Sequence, residues 1–150
     1  MKQDEQMVRL GGLLAVLTLV ACTSKPSDDA LQSLFRQLPT PDAGWESTKA
    51  SGHCTDDPSS DRPMPPYLVA EARGGDDSYL NAAEDALQAS GFTVHRSLEP
   101  TSKGDIWAEL GHGRSQIRVQ VFSGPGQNPD GAPLPASTLL RMTRDPDWCT

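Results

Sequence analysis

The sequence predicts an α+β fold in one small domain, with an antiparallel-rich sheet and one or two helices packed on one of its faces. Three observations carry this expectation. A strand-helix-strand pattern occupies residues 67–96, two alternating apolar segments at 106–110 and 117–121 flank a glycine turn, and there is neither an internal repeat nor a second apolar core. A chain of 150 residues has room for one domain. At this size roughly 65–70% of the surface exposed by the unfolded chain is buried, so folding requires neither a metal nor a dense disulfide frame.

The elements begin after an N-terminal segment of a different kind. From Leu10 to Ala21 runs a mostly apolar stretch, followed at once by polar Thr23-Ser24-Lys25-Pro26-Ser27. It is shorter than the roughly 20 residues a membrane-spanning helix needs, and it reads as the apolar part of a cleavable signal. A buried core helix is the alternative, but such a helix would sit at the extreme N-terminus and end on a Cys at a polar, proline-containing border. The last residues, Leu19-Val20-Ala21-Cys22, resemble the lipobox of bacterial lipoproteins. The resemblance covers only the signal. It implies cleavage between Ala21 and Cys22, a diacylglyceryl thioether on Cys22, and attachment through acyl chains of the palmitate kind. Two such chains hold a protein stably at about 0.8 kcal/mol per buried methylene, whereas one holds it marginally. The expected organisation is a signal over 1–21, a lipidated tether over 22–27 and one α+β domain over 28–150.

Two details of the signal bear on its use. Asp4 and Glu5 occupy a region that is normally positive, and a start at Met7 would leave Arg9 as its positive residue. Thr23 follows the cysteine where some inner-membrane lipoproteins carry Asp. The resemblance therefore implies the outer membrane of a double-membrane host, or the outer face of the cell membrane in a single-membrane one.

Asp28 is placed to cap a short helix in which Leu31, Leu34, Phe35 and Leu38 share a face, ended by Leu38-Pro39-Thr40-Pro41. Residues 39–66 are rich in Pro, Gly, Ser and Asp without a sustained period and read as an ordered, irregular segment. Its Pro63 to Pro66 run suits a stiff lead into a strand better than a polyproline ligand. Tyr67 to Ala72 reads as a strand, Asp77 or Ser78 as the cap of a helix to Ser90, Gly91 as its stop, and Phe92 to Arg96 as a second strand. Tyr79, Leu80, Ala83, Ala86 and Leu87 give that helix one apolar face. Ile106-Ala108-Leu110 and Ile117-Val119-Val121 flank Gly111 to Ser115 as a hairpin with one buried face and one wet face. Ser123 to Ala136 reads as a Gly/Pro loop, and Thr138 to Thr143 as a last strand before Trp148 and Cys149.

Net charge is −7. Removing the signal takes away two bases, Lys2 and Arg9, and two acids, Asp4 and Glu5, so the exported part keeps that charge. With no cluster of Lys and Arg to neutralise phosphates, nucleic acid is excluded as a partner. The same charge opposes an anionic membrane, so the lipid must supply the attachment.

Once Cys22 is assigned to lipid, Cys54 and Cys149 remain as a pair. In an oxidising compartment a disulfide between them is the expectation. Metal binding through adjacent His53 and Cys54, with His95 or His112, is the alternative, but no ligand spacing supports it.

No nucleophile elbow, zinc-protease helix, phosphate loop or calcium loop is present. Gly124-Pro125-Gly126 has only part of a dinucleotide fingerprint and leads to no helix. His112, with a glycine on each side, is exposed at a hairpin tip where an imidazole can act as a base or simply sit in solvent. Asp56, Asp57 and Asp61 can gather a cation or merely line a polar loop. Trp107 shares an outward face with Asp105 and Glu109, and Phe122 shares one with Arg118 and Gln120. These aromatics mark a contact surface unless proline-rich segments cover them.

The layout as a whole resembles small lipoproteins of high-GC Gram-positive bacteria, through its lipobox, the Leu38 to Trp45 segment, Gly52 to Cys54 and the C-terminal Cys149. The resemblance carries no catalytic residue across. The expected function is a membrane-anchored, extracytoplasmic binding or interaction module without a cofactor, its partner an envelope protein or a small ligand. A small envelope hydrolase using His112 or the aspartates, or a metal-binding lipoprotein, is the alternative.

Overall fold

The computed structural model describes residues 29–98 and 104–150. The expected signal, Ala21/Cys22 junction and tether, and Asp28, lie outside the described residues. In chain order the elements are α1 (Ala30–Gln37), β1 (Ser47–Ser51), β2 (Tyr67–Arg73), α2 (Asp77–Ala89), β3 (Thr93–Arg96), β4 (Ile106–Leu110), β5 (Ile117–Gln127) and β6 (Pro133–Arg144), with short 3-10 turns at Gly113–Ser115 and Pro146–Cys149. The six strands form one sheet in the order β1-β2-β6-β5-β4-β3. Every neighbouring pair is antiparallel. The α+β expectation holds.

The helix α2 shows how local chemistry sets these bounds. Its N-cap is Asp76, whose carboxylate accepts from the Tyr79 backbone N–H at 3.0 Å, one residue before the expected Asp77 or Ser78. At the other end Gly91 takes φ 86°, and the N–H groups of Gly91 and Phe92 donate to the carbonyls of Gln88 and Leu87. This Schellman closure satisfies carbonyls that the helix end leaves open. The strand-helix-strand reading survives in altered form: β2 and β3 run the same way, but β6, β5 and β4 stand between them.

Both helices cover one face of the sheet. Leu31, Leu34 and Leu38 from α1 and Tyr79, Leu80, Ala83 and Leu87 from α2 join Leu68, Ala70, Ile106, Ala108, Val119, Val121, Leu140 and Met142 in a single core. Trp45 ties the helices together, with its ring 5.6 Å from Phe35 and edge-on to Tyr79 at 6.1 Å.

Three further expectations are corrected. Asp29, not Asp28, occupies the N-cap of α1, and its side chain makes no capping bond. The irregular stretch 39–66 contains a strand, β1, which pairs with β2 from Ser47↔Glu71 to Ser51↔Tyr67. Its Ser-Thr-Lys-Ala-Ser sequence lacks apolar alternation because it is an edge strand exposed along nearly its whole length. Ser123 to Ala136 is not a loop. The strands β5 and β6 pair out to Gln127↔Pro133 as a two-stranded arm beyond β2 and β4, with a register shift between Pro125 and Gly126. Proline is tolerated there because an arm strand has one partner, leaving alternate N–H positions unused by any ladder.

At the root of the arm, Thr138 Oγ1 donates to Gly74 O at 2.9 Å and lies 3.0 Å from Ser123 Oγ. A Cβ on Gly75 would fall 2.5 Å from Ser137 O and 2.6 Å from Gly124 N. Only glycine lets the β2-α2 turn pass this close.

The sheet has two distinct ends. The start of α1 lies near Leu110 and Ile117, at the same end as the Cys54–Cys149 disulfide and the C-terminus, whereas the arm projects from the opposite end. Among the described residues no helix is long and apolar enough to cross a membrane.

Candidate functional site

The helix-free face of the sheet is assembled from alternate residues of all six strands. Strand register aligns Lys49, Val69, Arg141, Gln120, Trp107 and His95 in one row across it. A flanking row runs Tyr67, Thr143, Arg118, Glu109 and Thr93, and the other includes Glu71, Leu139 and Phe122. Tyr67, Val69, Trp107, Phe122 and Leu139 are half-buried, so the face combines large apolar groups with charged heads.

Trp107 stands beside His95 with the rings stacked at 4.1 Å and 17°. On the β5 side of Trp107 lies a depression of about 320 Å³ lined by Trp107, Glu109, Arg118 and Gln120 over the backbone of Ala108 and Val119. Arg118 is held by three groups: Glu109 at 3.7 Å, Asp145 at 3.1 Å and Gln116 Oε1 at 3.0 Å. The side chains of Lys49 and Arg141 make no hydrogen bond or ion pair among the described residues. The middle row thus carries two uncompensated cations and no acid.

The structure brings Trp107 and Phe122 onto this one face, on diagonal positions of neighbouring strands and opposite the helices. His112 is not with them. It lies exposed at the N-cap of the 113–115 turn, and its imidazole makes no hydrogen bond among the described residues. Among the described residues no carboxylate orients it, as one often does for a catalytic imidazole.

The pairing of the cysteines is as expected, with Cys54 and Cys149 joined in a disulfide. Beside it a hollow of about 390 Å³ is lined by Asp56, Asp57, Asp61, Arg62 and Trp148. Asp57 is occupied by Ser59, whose N–H and hydroxyl donate to Oδ1 at 2.9 and 2.6 Å. These bonds hold its carboxyl below the usual range. Among the described residues no three His, Cys, Asp or Glu side chains converge as a metal site would need.

Sequence reading missed Lys49, Tyr67, Val69, Leu139 and Arg141. The alternation of Tyr67, Val69, Leu139 and Arg141 with core residues was visible, whereas Lys49 lies on the edge strand that shows none; only the order of strands places all five beside Trp107 and Phe122. Comparison with protein-family models, with curated proteins and with solved structures gives no match.

Proposed function

We propose that this chain is an exported lipoprotein, anchored through acyl chains on Cys22, whose domain acts as a binding module through the helix-free face of its sheet. The observation that carries the reading is that face: half-buried aromatic and aliphatic side chains with two cations that no acid compensates. Tyr, Trp and Arg are the residues on which binding surfaces concentrate their energy. The Cys54–Cys149 disulfide supports an oxidising, extracytoplasmic location.

The tether would hold the domain close to its membrane. From Cys22 to Ala30 the chain reaches at most roughly 26–29 Å when fully extended. Since α1 starts at the disulfide end, that end faces the lipid and the β5-β6 arm points away.

Fractionation of cells producing the wild type and Cys22→Ser tests the anchor. The wild type stays with membranes through a high-salt wash and incorporates labelled palmitate, while the variant loses the label and keeps the apolar precursor segment. Palmitate incorporation by Cys22→Ser, or its absence in the wild type, contradicts the reading.

A further inference from the structure

We infer that the helix-free face is a docking site for an acid-bearing polysaccharide of the cell envelope. In this arrangement Arg141 and Lys49 receive carboxylates, and the depression beside Trp107 receives a sugar ring. The inference deepens the binding-module reading and rests on it.

Charge is the first argument. The chain carries −7, yet its middle row holds Lys49 and Arg141 without an acid partner among the described residues, while Arg62, Arg73, Arg96 and Arg118 are each ion-paired. An uncompensated cationic row on an acidic body steers and orients an anion. A guanidinium such as that of Arg141 matches a carboxylate through parallel N–H bonds. Two such cations are too few for a polyphosphate chain, whose binding needs a broad positive surface. A second copy of this chain would bring the same cationic row, on another acidic body, against the first.

Area is the second argument. Six strands about 4.8 Å apart and four to twelve residues long, at about 3.4 Å per residue, give a face of roughly 24 by 25 Å, or about 600 Å². That is smaller than the roughly 800 Å² per partner in a standard protein-protein interface. A narrow, linear ligand fits the dimensions better than a globular one.

The third argument is the chemistry of recognition. Within the face the backbone groups are committed to the sheet ladders, so no peptide strand can add there and side chains alone must read the ligand. The depression offers an aromatic ring, the Glu109 carboxylate and the Gln120 amide, and its about 320 Å³ lies at the lower end of small-ligand pockets. An apolar ring together with donors and acceptors suits a sugar, which has C–H faces and hydroxyl edges.

The test is titration of the full-length protein in mild detergent with polygalacturonate, with neutral dextran of similar length and with polyglutamate. Polygalacturonate should bind, weaken with added salt, and lose about tenfold in affinity with Arg141→Glu and severalfold with Gln120→Ala. Dextran and polyglutamate should bind at least about tenfold more weakly. Arg36→Glu on the exposed side of α1 should change nothing. If Arg141→Glu does not fold, Lys49→Glu on the exposed edge strand replaces it with the same expectation. Absence of polygalacturonate binding, equal binding of polyglutamate, or indifference to both charge reversals overturns the inference. Palmitate labelling of the same preparation separates the claims, because labelled protein that binds no polygalacturonate refutes the docking site and leaves the anchor standing.

Discussion

On the helix-covered face, Leu68, Ala70, Val121, Leu140 and Met142 are each fully buried at 0% exposure. On the other face the residues between them, Val69, Leu139, Arg141 and Phe122, remain half-buried or exposed. The same strands write both faces by alternation, since successive side chains point to opposite sides. The covered face is small or aliphatic apart from Ser123 and Thr138, which hydrogen-bond at the root of the arm. The open face keeps aromatic rings, guanidinium groups and an amide that the core does not use. Folding explains the first set, and the proposed binding role gives a reason for the second.

That contrast can be broken or sharpened by measurement. Reduction of Cys54–Cys149, or the double Cys→Ala variant, should have the largest effect, lowering stability by about 4–5 kcal/mol in the chain-entropy model for a separation of 95 residues. The clip belongs to neither face, so its loss should leave the difference between face-specific variants unchanged. Denaturant unfolding with and without reductant checks this.

Adjacent residues give the sharpest version. Leu140→Ala removes a fully buried side chain and should cost about 2–5 kcal/mol. Leu139→Ala, one position along and on the opposite face, should cost less than about 1 kcal/mol, because its side chain is already partly in water. Similar costs for the two would mean that something covers the open face.

A smaller effect probes the covered side through pH. Burial pushes the Tyr79 phenol well above its ordinary value of 10.0. Above that pH the unfolded chain therefore gives up a proton that the folded chain retains. Stability should be untouched below about pH 10 and fall as pH rises past it, by up to about 1.4 kcal/mol per unit. Tyr79→Phe should abolish this alkaline loss while costing about 1 kcal/mol for the bond from Tyr79 Oη to Pro39 O, 3.3 Å long. Urea unfolding across the alkaline range reads both effects.

What could be read from the sequence follows the range of the interactions. The helix α2 was legible because its apolar spacing and Gly91 act within a few residues, and the β4-β5 hairpin because alternation and a glycine turn are local. The Cys54–Cys149 pair emerged by assigning Cys22 elsewhere. The β5-β6 arm was not legible, since Pro125, Pro133 and Pro135 signal a loop unless the strands are known to leave the sheet there. Nor was β1, which as an exposed edge has no apolar face to display. The candidate site was half visible: Trp107 and Phe122 stood out as outward aromatics. Arg141 joins them only because β6 inserts between β2 and β5, a placement no local pattern encodes. His112, conspicuous between its glycines, lies exposed at the disulfide end of the molecule and not on the open face.

The most direct test of the account is the intact mass of the full-length protein isolated from its own membranes in mild detergent, recorded before and after reduction. The account predicts a chain beginning at Cys22 with a diacylglyceryl adduct, gaining the mass of one hydrogen pair on reduction. A chain that retains residues before Cys22, or one that starts at Cys22 without lipid, would contradict it.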